Sequence, residues 1–181
     1  MSSMRDDLES ILITEKEIQE KVTELAEILD KDYEGKNPLM LCILKGSIPF
    51  FADLIKNMTI PLEIECMSIS SYRNTATSGE IKLMKDLDKD IAGRHILIVE
   101  DIIDSGNTLY YLRNLLAKRH PASIKIITLL DKFERREANI EANYKAFDIG
   151  DYFVVGYGLD YAEKYRNLPF VGVLSPKVYS K

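Results

Sequence analysis

Glu100, Asp101 and Asp104 crowd three carboxylates into the end of one apolar run, and the turn Asp104-Ser105-Gly106-Asn107-Thr108 follows at once. The two halves of this stretch ask for opposite ligands. A turn of small, hydroxylated residues that opens a helix offers unpaired backbone N–H groups and the positive end of the helix dipole, which suits an anion. Gly106 lets the backbone approach that anion closely, and Ser105 and Thr108 add hydroxyls. No Gly-Lys-Ser/Thr follows the glycine, so the turn is not a Walker A loop and suits a monophosphate. Carboxylates repel a bare phosphate, but they accept hydrogen bonds from vicinal hydroxyls. They also hold a divalent cation such as Mg²⁺, which reverses the local charge. A sugar phosphate with a metal satisfies both halves. Single acids in such a place commonly serve as helix N-caps or solvated loop residues. Three of them, with a glycine and two hydroxyls, fit a ligand site, because open α/β sheets bind ligands at strand carboxyl ends.

The elements that must hold this stretch can be read around it. Residues 96–99 form an apolar strand, and residues 108–118 a helix stopped by His120-Pro121. Upstream, Thr14-Glu-Lys-Glu17 has the form of a capping box, and Ile18, Val22, Leu25 and Leu29 continue at helical spacing to about residue 32. Gly35, Asn37 and Pro38 break the chain. Leu39-Met-Leu-Cys-Ile-Leu44 is continuously apolar, as strands buried on both faces are. It ends at Lys45-Gly46, and Ser47 is placed to cap a helix through about residue 58. Further strands are predicted over 62–70, 124–130, 152–157 and 170–174. Residues 71–90 are polar, with Arg73, Asn74, Thr75, Thr77, Ser78 and Gly79 together, and read as a long exposed loop or an excursion of strand. Strands alternating with helices predict an α/β fold with a mostly parallel central sheet flanked by helices.

Bulk composition narrows the partners. The 181 residues suffice for one domain. Against 24 Lys plus Arg stand 29 Asp plus Glu, a formal charge of −5, which argues against nucleic acid or an anionic membrane as partner. Any phosphate site must then be local. Cys42 and Cys66 are too few for a disulfide scaffold and lie in apolar segments, so buried free thiols are expected. The N-terminal residues lack the apolar core of a signal peptide, and no apolar run approaches the ~18 residues of a membrane span, which points to the cytoplasm. His95 and His120 have no ligand-spaced partner and read as structural or solvated.

Nearly the whole chain resembles the type I phosphoribosyltransferases, and within them the 6-oxopurine branch. The resemblance rests on Leu44-Lys-Gly46, Ser71-Tyr72, Glu100-Asp-Ile-Ile-Asp-Ser-Gly-Asn-Thr108, Leu130-Asp-Lys132, Phe153-Val-Val-Gly-Tyr-Gly-Leu-Asp160 and Arg166-Asn-Leu-Pro169. It implies one domain over 1–181, with a core at about 35–150, a small hood from the N- and C-terminal segments, and a flexible loop at about 71–90. It implies purine salvage. A purine nitrogen displaces pyrophosphate from C1 of phosphoribosyl diphosphate, giving IMP or GMP from hypoxanthine or guanine, with Mg²⁺ as cofactor. Glu100 and Asp101 would lie by the ribose hydroxyls and their metal, and Asp104 would be the general acid/base at N7 of the purine. Asp104, Ser105, Gly106, Asn107 and Thr108 would cradle the 5′-phosphate. Lys45 and Gly46 would bind pyrophosphate through backbone donors, often with a non-proline cis bond. Ser71 and Tyr72 would begin a loop that closes over the transition state.

The same resemblance gives Lys132 to the exocyclic oxygen of the purine, Phe153 to its ring face and Val154 to its edge. Asp160 would bind a second Mg²⁺ and Arg166 the pyrophosphate. Without the resemblance, Lys45 reads as a solvated lysine, Tyr72 as a surface aromatic and Phe153 as core packing. Family members often carry a basic residue where this chain has Tyr152, which removes any cationic contact from that position. They are usually homodimers or homotetramers, acting on small molecules alone. A regulator that senses phosphoribosyl diphosphate would share the phosphate turn, but it has no need of Asp104, Lys132 and Asp160 together. Enzymes for adenine, xanthine or pyrimidines are the other rival, and Lys132 and Phe153 argue against adenine and pyrimidines.

Overall fold

The structure is a computed structural model that describes residues 4–72 and 80–180, with the side chains of residues 71, 72 and 80 outside the description. The chain opens on strand β1 (Leu8–Ile13) and helix α1 (Glu15–Asp32). Strand β2 (Leu39–Leu44), helix α2 (Ile48–Asn57), and strands β3 (Glu63–Tyr72) and β4 (Glu80–Lys85) follow. Then come β5 (His95–Ile103), α3 (Asn107–Ala117), β6 (Ser123–Asp131) and β7 (Tyr144–Asp148). The chain closes with β8 (Val154–Val155), β9 (Val171–Leu174) and the short α4 (Pro176–Tyr179).

Six strands form the main sheet in the order β4-β3-β2-β5-β6-β7, parallel except for the β3–β4 pair. The continuous apolar runs of β2 and β5 have a direct cause. Met40, Cys42, Leu97 and Val99 face one layer with Ile18, Val22 and Leu25 of α1 and Phe50 of α2. Leu39, Leu41, Ile96 and Ile98 face the other with Leu109, Leu112 and Leu116 of α3. Side chains alternate along a strand, so a strand covered on both faces must be apolar at every position. At the start of α1 the capping box is formed: Glu17 N–H donates to Thr14 Oγ1 at 3.3 Å, and Thr14 N–H to Glu17 Oε2 at 2.8 Å.

Three strands differ from the sequence reading. β1 and β7 were not foreseen, because each buries one residue only, Ile13 and Ala146, and edge strands give little apolar signal. The strand predicted over 152–157 shrinks to Val154–Val155, since Gly156 and Tyr157 turn the chain at positive φ of 98° and 48°. It belongs to a second, small antiparallel sheet of order β1-β9-β8. The polar segment after residue 70 is partly strand: β3 runs on to Tyr72 and β4 folds back on it. Ser47 precedes α2 but makes no side-chain cap; its Oγ donates to Ile43 O at 2.6 Å instead. Cys42 is buried and Cys66 half-buried, both free thiols on paired positions of β2 and β3.

Candidate active site

β2, β5 and β6 are parallel neighbours, so Lys45-Gly46, the acids of β5 and Lys132 leave the sheet side by side at its carboxyl end. β5 runs two residues past the acidic pair Glu100-Asp101, and Asp104 stands just beyond its end. The turn that follows is built tightly. Gly106 has φ of +79°, and a Cβ there would lie 2.7 Å from Ile140 Cγ2 and 2.9 Å from Arg136 Cδ. The first α3 hydrogen bond runs from Tyr110 N–H to Gly106 O, so the amides before it lie outside the helical ladder, that of Asn107 donating to Ser105 Oγ at a long 3.4 Å. Residues 136–138 brace the turn through its backbone. Arg136 Nε donates to Asp104 O at 3.2 Å, and the N–H groups of Glu137 and Ala138 donate to Ser105 O at 2.9 and 3.0 Å. Arg136 itself is held by the buried Asp131 carboxylate and by Ile140 O at 2.5 Å.

A cleft of about 480 Å³ opens beside this turn. Of the residues singled out in the sequence, Asp101, Asp104, Ser105, Lys132, Phe153, Val154 and Asp160 line it. A smaller adjoining cavity is lined by Glu100, Asp104, Ser105, Gly106 and Thr108. Asn107 lines neither cavity, but its Nδ2 donates to Oε2 of the cleft residue Glu137 at 2.8 Å. The Lys132 side chain is only 7% exposed, and its nearest counter-ion is Asp151 at 3.9 Å. Phe153 is not core; the residue is 41% exposed, and its ring stacks on Tyr179 with centroids 4.8 Å apart and meets Tyr161 edge to face.

The acidic pair is under electrostatic stress. Glu100 Oε2 is buried with no hydrogen-bond partner. Burial first, then the charge of Asp101, pushes the Glu100 carboxyl well above its usual range. Burial likewise pushes Asp101 up to about 6, against the hydrogen bonds from the Ile102 and Asp101 backbone N–H groups that favour its charge. A buried acid pair with one oxygen orphaned is what a cation relieves, so these residues fit Mg²⁺. Among the described residues no group of three or more His, Cys, Asp or Glu could hold a metal by itself. Mg²⁺ characteristically binds through one or two carboxylates plus ligand phosphates, so Glu100, Asp101 and Asp160 would serve as parts of shells shared with substrate rather than as a cage.

Lys45, Gly46 and Arg166 do not line the cleft; Gly46 packs against Asp101 and Arg166 against Asp160, while Lys45 reaches Glu163. A Cβ on Gly46 would lie 1.6 Å from Asp101 Oδ2, and one on Gly158 would lie 1.9 Å from Gly46 O. The peptide bond between Leu44 and Lys45 is cis. Arg166 reaches Asp160 at 2.9 Å, Gly158 O at 2.8 Å and Glu163 at 3.3 Å, while Lys45 Nζ meets Glu163 at 3.1 Å. Of the closing loop expected at about 71–90, residues 73–79 lie outside the described residues, as do the side chains of Ser71 and Tyr72, and residues 80–85 are strand β4. Sequence reasoning missed Arg135, Arg136 and Glu163. Arg135 Nε stands 3.6 Å from Asp104 and its Nη1 3.2 Å from Asp151. The Arg135-Arg136 pair three residues beyond Lys132 was the available signal.

Comparison with known proteins agrees with this geometry. The family model for the phosphoribosyl transferase domain matches residues 10–162. A bifunctional protein TilS/HprT of Listeria monocytogenes is 51% identical over 180 residues, 99% of this chain and 28% of the relative. The chain thus spans 28% of the length of that relative. The hypoxanthine-guanine phosphoribosyltransferase of Bacillus subtilis is 55% identical, covering 97% of this chain and 98% of the relative. That of Lactococcus lactis is 57% identical, covering 96% and 95%. A crystal structure of a hypoxanthine phosphoribosyltransferase from Staphylococcus aureus superposes with a TM-score of 0.96 at 48% identity, covering 99% of this chain and 98% of that one. The chain, with a type I phosphoribosyltransferase fold, belongs to the phosphoribosyltransferase family and to its hypoxanthine-guanine branch.

Proposed function

We propose that the protein works in purine salvage, transferring the 5-phosphoribosyl group of phosphoribosyl diphosphate to hypoxanthine or guanine. The observation that carries this reading is one cleft lined at once by Asp104, the buried Lys132 and the exposed face of Phe153, beside a turn shaped for a phosphate. The amides at the start of α3 and the hydroxyls of Ser105 and Thr108 hold the 5′-phosphate, with Asn107 lending its backbone only. Asp101 and Glu100 meet the ribose diol. The purine lies on Phe153, its 6-oxo group takes a hydrogen bond from Lys132, and Val154 presents backbone groups to its edge. A base nitrogen attacks C1, the bond from C1 to the diphosphate oxygen breaks, and that electron pair leaves with pyrophosphate. Asp104 takes the proton from N7, a transfer worth roughly 10²–10⁴-fold in such enzymes. Arg135 stands against Asp104 to balance its charge.

Lys45, Gly46 and Arg166 form the pyrophosphate end, with Ser71 and Tyr72 leading into the closing loop. Glu100, Asp101 and Asp160 would hold Mg²⁺ together with substrate oxygens, and the metal would supply charge neutralisation at the diphosphate. The small sheet serves as the hood, through Phe153 and Val154. We place the enzyme in the cytoplasm, as a homodimer or homotetramer with small-molecule substrates and no nucleic-acid partner. In support, no helix among the described residues is long and apolar enough to cross a membrane. The test is pyrophosphate release from phosphoribosyl diphosphate with a panel of bases. Release with hypoxanthine and guanine is expected. Release with neither would refute the reading, and binding without turnover would favour the regulator.

A further inference from the structure

We infer that Glu163 is an internal stand-in for the leaving group: its carboxylate holds Lys45 and Arg166 and gives way when the diphosphate arrives. This rests on the reading of Lys45 and Arg166 as the pyrophosphate end, and it takes the Lys45 ammonium, beside the backbone donors there, as one of the two cations. One oxygen of Glu163 meets Lys45 Nζ at 3.1 Å and the other meets Arg166 Nη2 at 3.3 Å. The two cations come from distant parts of the chain, and one anion bridges them, as a phosphate does. The turn that aims Glu163 is built for the purpose. Ala162, Glu163 and Tyr165 all have positive φ, of 51°, 63° and 76°, a region that residues with a Cβ enter at a cost. Three contacts hold it there. Asp160 Oδ2 accepts from Glu163 N–H at 2.9 Å, Tyr161 pairs with Lys164 as an isolated bridge, and Arg166 Nη1 donates to Gly158 O at 2.8 Å.

Stability does not explain the arrangement. The Lys45 and Glu163 side chains are 64% and 66% exposed, and pairs so wet contribute little to folding. The pair does matter to any anion that needs the same two cations, because that anion must first displace Glu163. Glu163 therefore weakens the hold on pyrophosphate and eases its release.

The test is Glu163→Gln, with product inhibition by pyrophosphate measured beside the KM for each substrate. Losing the exposed pair to Lys45 and the half-buried one to Arg166 should tighten pyrophosphate inhibition roughly two- to tenfold and lower the KM for phosphoribosyl diphosphate. The KM for the purine and the melting temperature should stay as they are, and Glu163→Ala should behave alike. In a Lys45→Gln background the gain should shrink, because the competition for that cation is gone. Unchanged or weaker pyrophosphate inhibition in Glu163→Gln overturns the inference, as does an undiminished gain in the Lys45→Gln background. If Lys45→Gln and Arg166→Gln each leave pyrophosphate inhibition untouched, the pyrophosphate end itself is misplaced and the inference falls with it.

Discussion

Replacing Lys132 by Met tests how the enzyme tells a 6-oxopurine from adenine. The side chain is nearly fully buried, and an ammonium has three donors and no acceptor. Hypoxanthine offers it an oxygen; adenine offers an amino group that can only face it as another donor. Hydrogen bonds to charged groups contribute about 1.5–3 kcal/mol, or roughly 10- to 150-fold. Sites built around such a bond can reject the wrong analogue by about 10⁴–10⁵ when the polar group is left wholly unpaired. Here it is not wholly unpaired, because Asp151 lies 3.9 Å away. That partner lowers the expected discrimination to roughly 10²–10³ in kcat/KM, between the bond alone and the fully orphaned case. Met is similar in length and leaves no orphan behind, since Asp151 keeps Arg135 at 3.2 Å. In Lys132→Met, kcat/KM for hypoxanthine should fall by about 10- to 100-fold. That for adenine should hold or rise, so the ratio collapses. The assay is initial-rate nucleotide formation with each base at saturating phosphoribosyl diphosphate. If the unmodified protein uses adenine within tenfold of hypoxanthine, Lys132 does not read the base.

Asp104→Asn should cut turnover by about 10²-fold or more while phosphoribosyl diphosphate still binds, because the turn and the metal acids remain; near-normal turnover would remove Asp104 from the proton transfer. Activity should require a divalent cation, and Asp160→Ala should raise the Mg²⁺ concentration for half-maximal rate; full activity in excess EDTA would sink this. Burial pushes the Cys42 thiol up to about 11, so it stays protonated, and slow to alkylate, at any pH below that. Half-buried Cys66 should react with iodoacetamide first at pH 8, as read by mass spectrometry; faster labelling of Cys42 would contradict its burial.

Most of the main sheet was legible because two-sided burial leaves an unmistakable mark. Residues 39–44 and 96–99 are apolar at every position, and the capping box at Thr14 announces α1. The phosphate turn was legible for a different reason: its glycine, hydroxyls and acids are contiguous, so local chemistry suffices. β1, β7 and the true length of β8 were not, because edge strands bury few side chains and their pairing comes from distant partners. The same limit hid the contacts of Arg136 and Glu163. Arg136 adds distant Asp104 to its local partners Asp131 and Ile140, and Glu163 spans to Lys45 across most of the chain. Ser47 misled because a serine before a helix resembles a cap, while its hydroxyl had a nearer acceptor in Ile43.

The pairing of β1 with β9 bears on how the molecule comes off the ribosome. Leu8 faces Leu174 and Ile13 faces Val171, so the sheet that carries Val154, and with it Phe153, is completed by strands from opposite ends of the chain. Contacts so far apart in sequence form late, because the closing segment must first exist. The phosphate turn needs only β5, α3 and the segment through Ile140, all of which emerge earlier. A nascent chain therefore acquires its grip on a sugar phosphate before it has a floor for the purine. An enzyme cut short ahead of Val171 would retain the first and lack the second.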